Sequence, residues 1–143
     1  MVVQQISVFL ENKAGRLASV AQALKDSSIN IRALTVADSS DFGILRMIVN
    51  KPDDALKILK EAGFMVKLNP VLAVEIEDRE GLFFEIMKLC DQEHINVEYT
   101  YSFVEQYSNK AILFLRFDDT ERAVDLFIKN KYKLLGPKEV SKL

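Results

Sequence analysis

The chain repeats itself. Glu11-Asn12-Lys13-Ala14-Gly15 aligns with Glu77-Asp78-Arg79-Glu80-Gly81 at an offset of 66 residues. The same offset carries Ile29-Asn30-Ile31 onto Ile95-Asn96-Val97, and the apolar set Ile6, Val8, Leu10 onto Leu72, Val74, Ile76. Three separate segments in one register are most economically two homologous halves, and an internal repeat constrains architecture more tightly than local propensity does. Further on the offset becomes 68, pairing Ala55, Leu56, Leu59 and Phe64 with Ala123, Val124, Phe127 and Tyr132, as a slightly longer loop in the second copy requires.

Each half yields the same order of elements. Ile6, Val8 and Leu10, or Leu72, Val74 and Ile76, alternate along a first strand and fall on one face. A helix follows the glycine, with Leu17, Val20, Ala21, Leu24 or Phe83, Ile86, Met87, Cys90 forming its apolar stripe. Two strands come next, about Ile31 to Ala37 and Ile44 to Val49, then about Val97 to Val104 and Ala111 to Phe117, joined by turn-forming residues. A second helix opens near Pro52 or near Asp118-Asp119-Thr120, where proline fits a first turn and carboxylates can cap one. Last strands run about Phe64 to Leu68 and Tyr132 to Leu135. The pattern predicts an α+β protein of two ferredoxin-like βαββαβ lobes, each an antiparallel sheet with both helices on one face. The lobes are residues 1–69 and 70–143, divided near Asn69-Pro70. Lobes of roughly 70 residues bury too little surface to be stable alone. Their third strands, Ile44–Val49 and Ile112–Phe117, are apolar on both faces, so the helix-free faces or sheet edges should be covered by the other lobe or by a second chain.

Composition removes several function classes. The 19 basic and 21 acidic residues nearly balance, giving a formal charge of -2, so phosphate backbones are not generally attracted and nucleic acid is disfavoured. The start MVVQQISVFLENK has neither the basic residues nor the apolar run of a signal peptide, and no segment is long enough to span a bilayer, which points to the cytoplasm. One cysteine and one histidine make neither an internal disulfide nor a metal set. Cys90 belongs to a helix stripe and reads as core, His94 as surface. Tyr99, Tyr101 and Phe103 alternate along a strand, which suits a packed interface better than base stacking, because no basic residues interleave them. The mixed-charge end, Lys138 to Leu143, reads as a solvated tail.

Two repeated features could carry chemistry. A glycine between strand and helix permits a tight turn and leaves first-turn N–H groups facing outward, where a carboxylate would be favoured by those donors and by the helix dipole. The alternative is a tight connection without a ligand. Asn30 and Asn96 each stand where a strand begins, and an amide both donates and accepts hydrogen bonds, as a zwitterion requires. The alternative there is an asparagine that finishes the turn after the helix.

A glycine loop entering the first helix, together with Ile-Asn-Ile or Ile-Asn-Val entering the second strand, resembles the ACT regulatory family, over nearly the whole chain and twice. Asp78, Gly81 and Phe83 follow the family's loop pattern loosely. Ala14 and Glu80 stand where it commonly has proline, and Asn12 where it has an acid. The resemblance implies lobes paired edge to edge and an amino acid bound between the glycine loop of one lobe and the second strand of its neighbour. On this chain it implies that the Lys13-Ala14-Gly15-Arg16-Leu17 loop receives the ligand carboxylate through backbone N–H groups from Gly15 to Leu17. Asn12 and carbonyls near Ile31 would receive the ammonium, with Asn30 of a paired lobe closing the site. The second site would use Asp78, Gly81, Leu82, Asn96 and Val97, weakened by the charge of Glu80 beside Gly81.

The expectation is a non-catalytic protein, with no cofactor, metal or catalytic residue, that senses a free amino acid and modulates a partner enzyme or transporter of amino-acid metabolism, as a homodimer by default. A branched-chain or aromatic effector follows from the resemblance. The rivals are weaker in this sequence. An acylphosphatase-like enzyme needs an arginine-bearing phosphate loop, for which ENKAGRL offers only Arg16. An RNA-binding pair has only Asp41-Phe42-Gly43 as a motif fragment.

Overall fold

A computed structural model describes residues 1–38, 40–104 and 108–143; Ser39 and residues 105–107 lie outside it. The element order is β1 (Val3–Glu11), α1 (Arg16–Asp26), β2 (Ile31–Asp38), β3 (Phe42–Val49), α2 (Pro52–Glu61), β4 (Met65–Glu77), α3 (Leu82–Gln92), β5 (Val97–Val104), β6 (Lys110–Phe117), α4 (Thr120–Lys129), β7 (Lys133–Leu135) and α5 (Pro137–Val140). This is βαββαβ twice, in two compact units. The N-lobe comprises Gln4–Asn69 with Lys138–Leu143, and the C-lobe comprises Pro70–Pro137 with Met1–Val3. Among the described residues no helix is long and apolar enough to cross a membrane.

In the N-lobe the strands lie in the order β2-β3-β1-β4, and all pairings with β3 are antiparallel. Ile6 opposite Met47 and Val8 opposite Leu45 set one face, onto which α1 and α2 bring Val20, Leu24, Ala55 and Leu59 to make the core. The C-lobe order is β5-β6-β4-β7, and its core joins Leu72, Val74, Leu113, Leu115 and Phe117 to Ile86, Cys90, Ala123 and Phe127. Both helices of each lobe therefore cover the same sheet face, as the alternation implied. Phe117, Phe127 and Tyr132 form an aromatic chain, at 5.7 and 5.3 Å between successive ring centres. The Cys90 thiol is buried there, and burial raises its pKa, so it is a core residue with little thiolate character.

Ile48, Ile112 and Phe114, on the helix-free faces, are buried. In the N-lobe that face carries a polar row. The Gln5 amide donates to Ser7 Oγ at 3.0 Å and the Ser7 hydroxyl donates to Asn69 Oδ1 at 2.7 Å, so these buried groups are satisfied by one another.

Two local expectations need correction. The last strand of the first half and the first strand of the second are one, because β4 runs unbroken through Asn69-Pro70. A proline removes a ladder donor only on its own strand side, and β4 changes neighbours at that point. Nor is Lys138–Leu143 a solvated tail. Val140 is 1 % exposed, and the Arg32 guanidinium donates to Ser141 O (Nε, 3.1 Å) and Leu143 O (Nη1, 2.7 Å), which holds the segment on the N-lobe. A stretch of six residues with mixed charge hides one well-placed valine.

Candidate functional site

The two strand-to-helix loops are built alike. Gly15 and Gly81 have φ of +88° and +81°, a left-handed conformation that favours glycine, and they deliver the chain into α1 and α3 without a side-chain cap at either helix. By contrast Asp119 accepts a hydrogen bond from the Arg122 N–H at 3.1 Å and caps α4. Backbone bonds hold each loop in place: Asn12 N–H to Asp41 O and Lys13 N–H to Glu11 O in the N-lobe, Asp78 N–H to Asn109 O and Arg79 N–H to Glu77 O in the C-lobe. The Arg16 and Leu82 N–H groups bond back to Lys13 O at 3.4 Å and Arg79 O at 3.5 Å, and the remaining first-turn donors of α1 and α3 follow at these corners.

Beside each corner is a hollow between the helix and the sheet edge. In the N-lobe it measures about 170 Å³, and Leu17, Val20 and Ala21 of α1 face Ile31, Leu34 and Val36 of β2 across it, with Leu45 and Met47 at its floor. Every lining residue is apolar. Leu17, Leu34 and Val36 are 50 %, 54 % and 46 % exposed, which large aliphatic side chains tolerate poorly as a cluster. In the C-lobe the hollow is about 360 Å³, bounded by Asp78, Arg79, Leu82 and Phe83 on the loop and helix, and by Thr100, Tyr101, Ser102 and Val104 on β5. A third hollow of about 350 Å³ is lined by Phe9, Glu11, Arg16, Phe42 and Phe64 of the N-lobe, among others.

The electrostatics of the two loops differ. In the N-lobe, Lys13 and Arg16 flank Glu11 at 2.9 and 3.6 Å, and the hydrogen bond from Lys13 lowers the pKa of that exposed carboxyl. In the C-lobe, Arg79 donates to both carboxylate oxygens of Glu85, at 3.2 and 2.9 Å, and lies 3.7 Å from Glu77. The hydrogen bond to Glu85 raises the arginine's pKa and the reciprocal bond lowers that of Glu85. Asp78 makes no ion pair among the described residues, and Glu80 is exposed and does not line the hollow.

The structure gathers some of the sequence-predicted residues and separates others. Leu17 and Ile31 share the N-lobe hollow, Arg16 lines the third hollow, and Gly15 sits at the corner with exposed Asn12, Lys13 and Ala14 before it. Asp78 and Leu82 line the C-lobe hollow, with Gly81 at the head of α3. Asn30, Asn96 and Val97 line none of the three. The backbones of Asn30 and Asn96 form a repeated clasp: Asn30 N–H donates to Asn50 Oδ1 and Asn96 N–H to Asp118 Oδ1, while the N–H groups of Asn50 and Asp118 return bonds to their carbonyls. Before each asparagine, Ile29 or Ile95 is buried and bonds back to Leu24 O or Cys90 O, closing the preceding helix. Arg79, Thr100, Tyr101 and Ser102 were missed as lining residues. The 66-residue offset, applied to β2 and β5, would have found Thr100 and Ser102 as counterparts of Leu34 and Val36. Among the described residues no group of three or more His, Cys, Asp or Glu could hold a metal ion.

Glycine-entered helices without caps, in two βαββαβ lobes of one chain, define a duplicated ACT architecture, and a family profile for the ACT domain pair matches residues 1–143. The chain belongs to that family. Among curated proteins it is 30% identical over 148 aligned residues to the acetolactate synthase small subunit of Buchnera aphidicola subsp. Baizongia pistaciae, covering 96% of this chain and 91% of that protein. It is 28% identical over 122 aligned residues to the acetolactate synthase small subunit of Haemophilus influenzae, of whose length it spans 64%. Among solved structures, protein BT0572 from Bacteroides thetaiotaomicron superposes with a TM-score of 0.94 at 36% identity, over 100% of this chain and 98% of that one. The regulatory subunit of aspartate kinase from Thermus thermophilus shares the fold, with a TM-score of 0.63 at 16% identity over 88% and 90% of the two chains.

Proposed function

We propose that this chain is a non-catalytic regulatory protein that binds a free amino acid and modulates a catalytic partner of amino-acid metabolism in the cytoplasm. The observation that carries the reading is the repeated corner: a left-handed glycine, an uncapped helix start and an adjoining hollow. Backbone donors at a helix N-terminus suit a carboxylate. Hollows of about 170 and 360 Å³ accept an amino-acid side chain and no large substrate. Relatives named as small subunits support a partner that carries the catalysis. β2 and β5 each pair with one strand only, which supports self-association through a sheet edge. An acylphosphatase-like reading finds no support in the loop, where Arg16 is drawn to Glu11 rather than held in a donor-rich phosphate cradle.

Mechanistically, a ligand that engages the loop donors and fills a hollow favours the conformation in which both are in register, and the partner reads that shift. The test is thermal denaturation of the full chain with each of the twenty amino acids at millimolar concentration. At least one should raise the melting temperature by mass action. No shift with any of them, and no heat on calorimetric titration, overturns the proposal.

A further inference from the structure

The two hollows overlap at four equivalent positions, Leu17/Phe83, Leu34/Thr100, Val36/Ser102 and Leu45/Leu113, and at two of them the walls have diverged in chemistry. Leu34 pairs with Met47 and Val36 with Leu45 across β2 and β3. Thr100 pairs with Leu115 and Ser102 with Leu113 across β5 and β6. These positions correspond by offsets of 66 and 68, so two aliphatic wall residues in the N-lobe are two hydroxyl residues in the C-lobe, over an aliphatic floor common to both.

Thr100 adds an independent observation. Its Oγ1 is shielded from solvent and has no hydrogen-bond partner, the one such side-chain atom among the described residues. A hydroxyl hidden from water without a partner is destabilising and persists for a reason. Thr100 lines the C-lobe hollow, and threonine populates more than one staggered χ1 well, so rotation about χ1 changes which groups this hydroxyl reaches. The charge nearby selects further. Glu77, Asp78 and Glu80 outnumber Arg79, whose guanidinium is already engaged by Glu85 and Glu77, so the corner attracts an ammonium and repels an acidic side chain.

We infer that the two lobes recognise different amino acids: the C-lobe hollow takes one with a neutral hydroxyl- or amide-bearing side chain, and the N-lobe hollow takes one with an aliphatic side chain. The inference rests on the amino-acid-binding reading above and divides it between two sites. A side chain that hydrogen-bonds Thr100 supplies its hydroxyl with a partner, whereas an aliphatic isostere seals the hydroxyl away from any partner. Sites with a polar wall reject the isostere that lacks the matching group far better than apolar walls reject an added hydroxyl.

Isosteric ligand pairs test this on the full chain: L-threonine against L-valine, and L-asparagine against L-leucine, by calorimetric titration of the wild type and of T100V, T100S and V36S. Threonine or asparagine should bind, weaken about tenfold in T100V, recover in T100S and be indifferent to V36S. Valine or leucine should weaken in V36S and be indifferent to T100V. A melting temperature of unliganded T100V that is unchanged or raised shows that the fold is intact. If aliphatic amino acids bind and no hydroxyl- or amide-bearing one does, or if T100V weakens both classes alike, the division is overturned and the regulatory reading stands. If none of the four, nor any other amino acid, binds, both fail.

Discussion

Gly15 and Gly81 show how a single residue can be tested without disturbing its surroundings. A Cβ built on either meets no atom within 4 Å, so alanine there brings no clash and only the strain of holding a left-handed φ. Each Gly→Ala substitution should cost about 1 kcal/mol of stability, read as a shift of the urea midpoint at unchanged slope. A loss of several kcal/mol would mean that the corner is packed more tightly than its geometry shows. Glu75 gives a pH-dependent counterpart. Partial burial raises its pKa, but hydrogen bonds from Lys110 at 3.1 Å and Lys133 at 3.3 Å outweigh this and lower it overall. A carboxyl depressed on folding contributes stability above its unfolded pKa, about 4.3, and loses that contribution as pH falls through the folded value. E75Q should therefore be less stable than the wild type by about 0.5–1 kcal/mol between pH 5 and 8, and the two should converge below about pH 4. A gap that persists in acid would show that the lysines are not its cause. At this scale the sequence was legible in part. Repetition singled out Ile29-Asn30 and Ile95-Asn96; the isoleucines close a helix and the backbones of the asparagines clasp a loop, but any residue supplies those backbone groups, so the clasp does not account for the amide side chains.

Elements were more legible than residues, because strand alternation and helix stripes report burial directly. Every helix and strand expected of the repeat is present, and Asp119 caps α4 within the segment where a cap was expected. What escaped was context. The two strands expected on either side of Asn69-Pro70 are one continuous strand, β4, and Pro137–Val140 forms a short helix, α5, in which Val140 is buried. The anchoring of Lys138–Leu143 is testable. Val140→Ala should cost about 2 kcal/mol for the lost burial and the space left behind. Arg32→Ala should cost about 1–2 kcal/mol, since two side-chain donors leave two backbone carbonyls. The double variant should lose less than the sum, because a segment already released by one change has little left to lose from the other. Full additivity in urea unfolding would show that Arg32 and Val140 act on separate structures.

The whole molecule is a duplication whose two units do not coincide with its two halves. Each lobe has its own core and its own βαββαβ sequence, so cutting the chain between Asn69 and Pro70 severs β4 while sparing every helix and both cores. Yet the N-lobe takes Lys138–Leu143 from beyond its half, and the C-lobe takes Met1–Val3, including the buried Val3. Fragments of this size are marginal to begin with, since a chain of about 60–70 residues buries only about 60% of its unfolded surface. Fragment 1–69 also lacks the segment that Arg32 holds, and fragment 70–143 lacks Val3, so neither should show a cooperative urea transition alone. Fusing Lys138–Leu143 to the end of 1–69 through a flexible Gly/Ser linker should restore one in the N-lobe, and Arg32→Ala in that fusion should abolish the gain. If 1–69 unfolds cooperatively at the same midpoint with and without the added segment, the exchanged end is ornamental. If only the fusion does, the N-lobe depends for its stability on chain from outside its own half.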